Sequence, residues 1–235
     1  REEILRLQQS SMHYFQRPDA GHVEVNPEAT SLSGWGGRIQ LGKQQGNFLL
    51  AASLGLLSPG FNPNDAGFQY SGSDKINWHL LPGYQWTKPG KVFRNAMCII
   101  GLFGNYDFGG NKTWQGVLAV LEGRFLNYWY FNTMLAYNPD TMSNNLTRGG
   151  PLALIPSGYQ VDFGLESDNR KAVVLEGMTS YYRRPGAGYE SQSELSLRWK
   201  PRSNFSLSFG PGYGVEKSEI QWVRRVEDQL MTETY

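Results

Sequence analysis

The last third of the chain alternates with a period of two. Tyr159, Val161, Phe163 and Leu165 are apolar, while Gln160, Asp162, Gly164 and Glu166 between them are polar or small. Leu195, Leu197 and Trp199 alternate in the same way with Glu194, Ser196 and Arg198, and Phe205, Leu207, Phe209 and Tyr213 with Ser206, Ser208, Gly210 and Gly212. Successive side chains of a strand point to opposite faces, so each segment has one apolar and one polar face. Earlier segments carry the signal less cleanly. Trp35, Ile39 and Leu41 share a parity over residues 31–43 against Arg38 and Gln40, and residues 48–57 return after Gln44-Gln45-Gly46 as a hairpin partner. Ile76, Trp78 and Leu80 alternate with Asn77 and His79 within residues 69–86. Residues 92–105 and 113–125 make a further pair in which both parities are apolar, and 127–137 places Trp129, Phe131, Leu135 and Tyr137 on one face. A last strand is predicted from Glu219 through Ile220 and Trp222.

Lys88-Pro89-Gly90-Lys91, Asp168-Asn169, Gly186-Ala187-Gly188 and Lys200-Pro201-Arg202 read as short turns, while residues 58–67 and 138–158 read as long irregular connections. The result is roughly ten or eleven strands of about ten residues, the length at which a tilted strand crosses a bilayer. Aromatic residues gather near strand ends, as at Tyr84 and Trp86, Tyr128 and Tyr130, Tyr181 and Tyr182, and Trp199. Rings with an apolar body and a polar edge suit the headgroup level. The predicted fold class is all-β: an antiparallel up-and-down transmembrane β-barrel, or an incomplete portion of a larger one. Residues 1–30 are expected to be a lead-in segment or an opening strand. Residues 31–235 are expected to be an outer-membrane β-barrel region, with loops near 58–68 and 138–158 folding inward or forming the mouth. The alternative is a soluble β-sandwich, in which a second sheet covers the apolar parity.

Composition agrees with strands that give every second position to water: 40% of the 235 residues are hydrophobic and 14% aromatic, yet mean hydropathy is -0.47. No stretch approaches the about 20 consecutive apolar residues that a membrane-crossing helix needs. Net charge is +1, from 22 basic and 21 acidic residues that are scattered in sequence. The nearest things to a basic stripe are Arg183-Arg184 and Arg224-Arg225, which argues against a nucleic-acid partner. The single cysteine, Cys98, permits no intrachain disulfide and sits in an apolar run as a small hydrophobe.

Candidate chemistry is sparse. His13, His22 and His79 have no partner at metal-ligand spacing, so no metal or cofactor is expected. Residues 62–67 hold Asn62, Asn64 and Asp65 but lack the spaced acids of a calcium loop, and an Asx-turn is the simpler reading. Arg148-Gly149-Gly150-Pro151 is either an anion-binding nest or a loop folded tightly into a lumen, with Arg148 paired to a wall carboxylate. Glu122, Glu166, Glu176, Glu190 and Glu194 offer pairs for glycoside cleavage, but a polar barrel wall uses such residues structurally, and no catalytic residue is assigned. Three glycosylation sequons, at Asn111, Asn145 and Asn204, match by a short pattern only.

Four phrases together resemble one family. They are Arg17-Pro18-Asp19 with Ser31-Leu32-Ser33-Gly34, the loop from Ser58 through Asn64, Asp65 and Phe68, the loop Thr147 to Leu152, and the turn Ser167-Asp168-Asn169-Arg170-Lys171. The chain from about residue 17 is similar to the C-terminal region of the domain of unknown function family 5916, bacterial envelope proteins common in Bacteroidetes. The resemblance implies an outer-membrane β-barrel, an upstream domain similar to carbohydrate-binding module family 9, and further strands beyond residue 235. It brings no catalytic residues.

The expectation is therefore a bacterial outer-membrane barrel whose partner is lipid and, through the family association, saccharide. Its work would be passage, docking or anchoring. Arg38, Gln40, Asn77, His79, Asp162, Glu166, Glu194 and Arg198 are expected on the lumen face, and Asn64, Asp65, Phe68, Arg148, Gly149, Gly150 and Pro151 in mouth or inward loops. A soluble glycan-binding sandwich or a carbohydrate-active hydrolase is the rival.

Overall fold

The computed structural model describes residues 1–63, 72–224 and 226. One helix, α1 (Glu2–Gln8), opens the chain, followed by β1 (Gly36–Lys43), β2 (Phe48–Leu57), β3 (Lys75–Trp86), β4 (Phe93–Tyr106), β5 (Lys112–Phe125) and β6 (Tyr130–Asn138). A small hairpin, β7 (Thr141–Ser143) and β8 (Ala153–Ile155), precedes β9 (Gly158–Glu166), β10 (Val173–Arg184), β11 (Gly188–Arg202), β12 (Phe205–Phe209) and β13 (Gly212–Ser218). Apart from the β7–β8 hairpin, every strand joins one antiparallel sheet in the order β1-β2-β3-β4-β5-β6-β9-β10-β11-β12, with β13 also on β11. The topology is thus up-and-down, as alternation joined by turns predicts. β1 and the β12/β13 strand are edges, and among the described residues the sheet does not close on itself.

Residues 1–30 hold α1 and irregular backbone, a lead-in segment with no strand. Three local expectations are corrected. The first strand starts at Gly36, because Ser58 draws the preceding residues into loop bonds, with Trp35 N donating to Ser58 Oγ at 2.7 Å. The stretch 138–158 is not wholly irregular, since it carries β7 and β8. No strand begins at Glu219: the ladder with β11 ends at Ser218, where Lys217 pairs with Glu219 at 2.6 Å and Ser218 Oγ bonds Ile220 O. β12 and β13 lie end to end along β11, broken at Gly210-Pro211, where proline has no N–H for the ladder.

The register carries the two faces through the middle of the sheet, with shifts at Phe93/Asn95 and Asn105/Tyr106 on β4 and at Trp199/Arg202 on β11. Leu41, Ala52, Leu80, Leu102, Val117, Tyr137 and Tyr159 form one cross-strand row, and Ile99, Val120, Met134, Asp162, Ser180 and Gln192 form a row of the other parity. Directly opposed residues share a face, so the first face is largely apolar from β1 to β9, while on β10 and β11 it also carries Thr179, Arg183, Ser191 and Ser193. The second is mostly polar from β9 onward, with Val174 and Met178 as apolar exceptions on β10. On β3 to β5 it turns apolar at Leu81, Ile99, Leu118 and Val120, which explains why both parities there are apolar.

Burial is inverted relative to a water-soluble protein. On β9 the apolar Val161 and Phe163 are 40% and 43% exposed, while Asp162 and Gln160 between and beside them are half-buried. Buried hydrophobic residues number four among the described ones: Ala20, Phe103, Leu152 and Val174. The accessible surface is 15409 Å², whereas a compact soluble chain of this mass exposes about 10,700 Å². No second sheet covers the apolar face among the described residues.

Candidate functional site

One end of the sheet carries the turns β1–β2, β3–β4, β5–β6, β9–β10 and β11–β12; the other carries the long β2–β3 and β6–β9 connections together with the short β4–β5 and β10–β11 turns. The N-terminal segment is docked at the long-loop end. Gln8 shapes the segment from within: its Nε2 donates to Asn26 O at 3.1 Å and its Oε1 accepts from Asn26 N at 2.7 Å. This matters because a helix as short as α1 is marginal alone.

A buried ion cluster joins the segment to the wall. Arg17 Nη2 lies 3.0 Å from Asp74 Oδ2 and Nη1 3.6 Å from Asp107 Oδ2, with all three side chains at most 3% exposed. His22 Nε2 approaches the same Asp74 oxygen at 2.8 Å. Phe108 N donates to Asp74 Oδ1, and Asn111 donates to Asp107 from its backbone N at 2.8 Å and its Nδ2 at 2.9 Å. His22, Asp74 and Asp107 place ligand atoms within 4.8 Å of one another, the geometry of a cation site. The guanidinium already among them supplies the positive charge, and the carboxylate oxygens are engaged, so these residues act as an ionic latch.

Further bonds extend the latch. His13 Nδ1 lies 2.9 Å from Pro59 O, Ser73 N donates to Met12 O, and Leu152 N donates to Asp19 Oδ2 at 2.6 Å. Burial lowers the His13 pKa from its ordinary 6.5, the carbonyl bond opposing. The neutral ring therefore donates from Nδ1. The Arg148 loop closes over the segment: Arg148 and Gly149 have φ of 53° and 93°, and Gly149 is buried against Gln16 and Tyr14. Arg148 stacks 4.4 Å above the Trp222 ring, and Thr147 Oγ1 donates to Pro151 O. Between segment and wall lies a cavity of about 420 Å³, lined in part by His13, Arg17, Asp74, Lys75, Asn144 and Arg148.

The predicted wall residues fall on one sheet face. Arg38 and Gln40 share a parity on β1, and the register carries it through Asn77 and His79, Asp162 and Glu166, to Glu194 and Arg198. They do not converge on a point. Arg38 Nε donates to Ser53 Oγ at 2.8 Å, Asn77 Nδ2 to Asn105 Oδ1 at 2.6 Å, and Ser180 Oγ to Asp162 Oδ1 at 2.6 Å. Arg198 lies 3.5 Å from Glu176, and Glu122 accepts from Tyr130 OH at 2.9 Å. These are cross-strand ties with no nucleophile beside a base. Asn64, Asp65 and Phe68 lie outside the described residues. Of the loop Arg148 to Pro151, Gly149 packs against Gln16 and Tyr14 of the segment, and Gly150 and Pro151 against Thr147.

Sequence reasoning missed the latch residues Gln8, Arg17, Asp74 and Asp107. Their spacing carries no motif, and the sole hint was the phrase Arg17-Pro18-Asp19, quoted for resemblance and given no role.

Comparison with known proteins bears on the fold. Residues 4–234 match the family described as Domain of unknown function (DUF5916). A solved structure of a porin is similar at a TM-score of 0.56 and 10% sequence identity, over 82% of this chain and 60% of the porin chain. The chain thus spans about 60% of that porin's length. No curated protein matches.

Proposed function

This chain belongs to the family DUF5916, and we propose that it forms wall strands and an inner latch of a bacterial outer-membrane β-barrel. The carrying observation is the exposed apolar face: apolar rows lie open along the sheet, while on β9 the polar residues of the other side are half-buried. Water would penalise such a face by about 25 cal/mol per Å² of apolar area, whereas hydrocarbon does not. The porin-like fold supports the same reading. Arg38, Gln40, Asn77, His79, Asp162, Glu166, Glu194 and Arg198 then face the lumen. The work of the wall is passage, docking or anchoring, with the N-terminal segment seated in one mouth. A saccharide cargo rests on the family association alone.

The rival soluble sandwich needs a layer over the apolar rows. A heat-shift gel on the membrane fraction separates the two. The barrel requires detergent for extraction and migrates differently before and after boiling; a chain that extracts in buffer and migrates identically overturns it. The hydrolase reading stands only if glycan cleavage disappears on substituting Glu122, Glu166, Glu176, Glu190 and Glu194.

A further inference from the structure

The basic residues are scattered in sequence, and the fold gathers them on one rim. Lys43, Lys88, Lys91, Arg94, Arg124, Arg170, Lys171, Lys200 and Arg202 all sit in or beside the turns of this end, where the acids are Asp168 and, at the end of β9, Glu166. Asp168 is already taken. Its oxygens accept from Arg170 Nε and Nη2, both at 2.7 Å, and from Arg170 N at 3.1 Å. Arg170 in turn stacks on Tyr128, whose ring also faces Arg94 at 4.1 Å.

The charge is densest where the β9–β10 and β11–β12 turns meet. Lys200 N donates to Ala172 O at 2.7 Å, which draws the two turns together. A cavity of about 620 Å³ opens there, lined by Arg170, Lys171, Lys200, Arg202, Ser203 and Asn204 among others. Lys171, Lys200 and Arg202 have no ion-pair or side-chain hydrogen-bond partner among the described residues. Directly beneath lie the apolar-face residues Val173, Trp199 and Leu207, in register with one another, and Phe205, which also lines the cavity and is 50% exposed.

From this juxtaposition we infer that the junction of the two turns is a binding site for the phosphate of an anionic lipid. The phosphate enters among Lys171, Lys200 and Arg202, with Ser203 and Asn204 as further donors. The acyl chains lie along Phe205, Leu207 and Trp199. Lys171, which also feels the Asp168 charge, Lys200 and Arg202 more than balance the single negative charge of a phosphodiester, and ammonium and guanidinium groups both bind phosphate through charge-assisted hydrogen bonds. A free anion would use the cations alone. The continuous apolar track favours a lipid, and that part of the inference rests on the apolar face meeting hydrocarbon.

The test uses the whole chain in neutral detergent, titrated with dihexanoylphosphatidylglycerol, dihexanoylphosphatidylcholine or inorganic phosphate at low salt. Cations near an anionic surface contribute roughly fivefold each. Phosphatidylglycerol should therefore bind at least about tenfold more tightly than phosphatidylcholine, and inorganic phosphate at least about tenfold more weakly than phosphatidylglycerol. The triple variant Lys171→Gln, Lys200→Gln, Arg202→Gln should abolish the preference, and Lys88→Gln with Lys91→Gln on another turn should keep it. Equal affinity for the two lipids, phosphate matching phosphatidylglycerol, or a preference that survives the triple variant overturns the site. A heat-shift gel is run on every variant: a shift retained with no lipid preference sinks this site and leaves the barrel standing, whereas no shift in the unaltered chain sinks the barrel itself.

Discussion

Removing the Arg17 guanidinium is the sharpest perturbation the latch permits. Its side chain is 1% exposed and sits between Asp74 and Asp107, at 3% and 0%. Arg17→Ala leaves two buried carboxylates without their countercharge, and breaking a buried pair from one side costs about 3–5 kcal/mol. That cost falls on docking of the N-terminal segment, since the wall's ladders do not involve residue 17. The population with the segment released should rise between about a hundredfold and a few thousandfold. Chymotrypsin cleavage after Tyr14 or Phe15 reads this population when reclosing outpaces cutting. The heat-shift band should persist, because the wall stays folded. Arg6→Ala removes a cation whose side chain is 80% exposed and should leave the cleavage rate unchanged. The triple variant Arg17→Met, Asp74→Asn, Asp107→Asn should recover most of the protection, since no buried charge remains unpaired. Acceleration below about tenfold in Arg17→Ala would show that the cluster holds nothing.

Four further outcomes follow from the same geometry. Burial holds His13 below its ordinary pKa of 6.5, so the unfolded segment takes up the proton first. Docking is thus fully stable above pH 6.5 and weakens as pH falls through the lowered value; the Tyr14/Phe15 cleavage rate should climb on acidification, and His13→Gln should flatten that climb. Arg170 hydrogen bonds hold the Asp168 carboxyl down to about 2, against an ordinary value of 3.8; the turn's contribution is present above 3.8 and lost as pH falls through about 2, and an NMR titration of that carboxyl with a midpoint above 3 contradicts the pairing. Val161→Arg puts a charge on the apolar face and should cost about 2–4 kcal/mol at the bilayer midplane, whereas Asp162→Asn one residue away should fold into lipid at nearly the native yield, both read by heat-shift gel. Gly149→Ala, at φ 93° and packed against Gln16 and Tyr14, should cost about 1–3 kcal/mol and raise the same chymotrypsin cleavage; no change would mean the loop does not clamp the segment.

Much of the wall was legible because strand side chains have a strict period of two, and one environment must accept each parity. Tyr159 to Glu166 and Leu195 to Trp199 show that directly. β4 and β5 were blurred, because Ile99, Leu118 and Val120 are apolar on the second face too. That face is set by neighbours in the sheet, which periodicity within one strand does not encode. Gly210-Pro211 splits into β12 and β13 a stretch, Phe205 to Tyr213, whose alternation reads as one strand.

The sequence by itself determined the two-faced strands, the turns between them and the up-and-down order, all of which rest on local backbone geometry and on contacts between chain neighbours. Tertiary structure alone decided the latch and the basic rim. Arg17 meets Asp74 and Asp107 across separations of 57 and 90 positions, and Lys171 meets Lys200 and Arg202 across a full hairpin. No spacing rule links such residues. They become neighbours because antiparallel pairing returns every second connection to the same end of the sheet, and that stacking turns a chain of near-zero net charge into one with a concentrated positive rim.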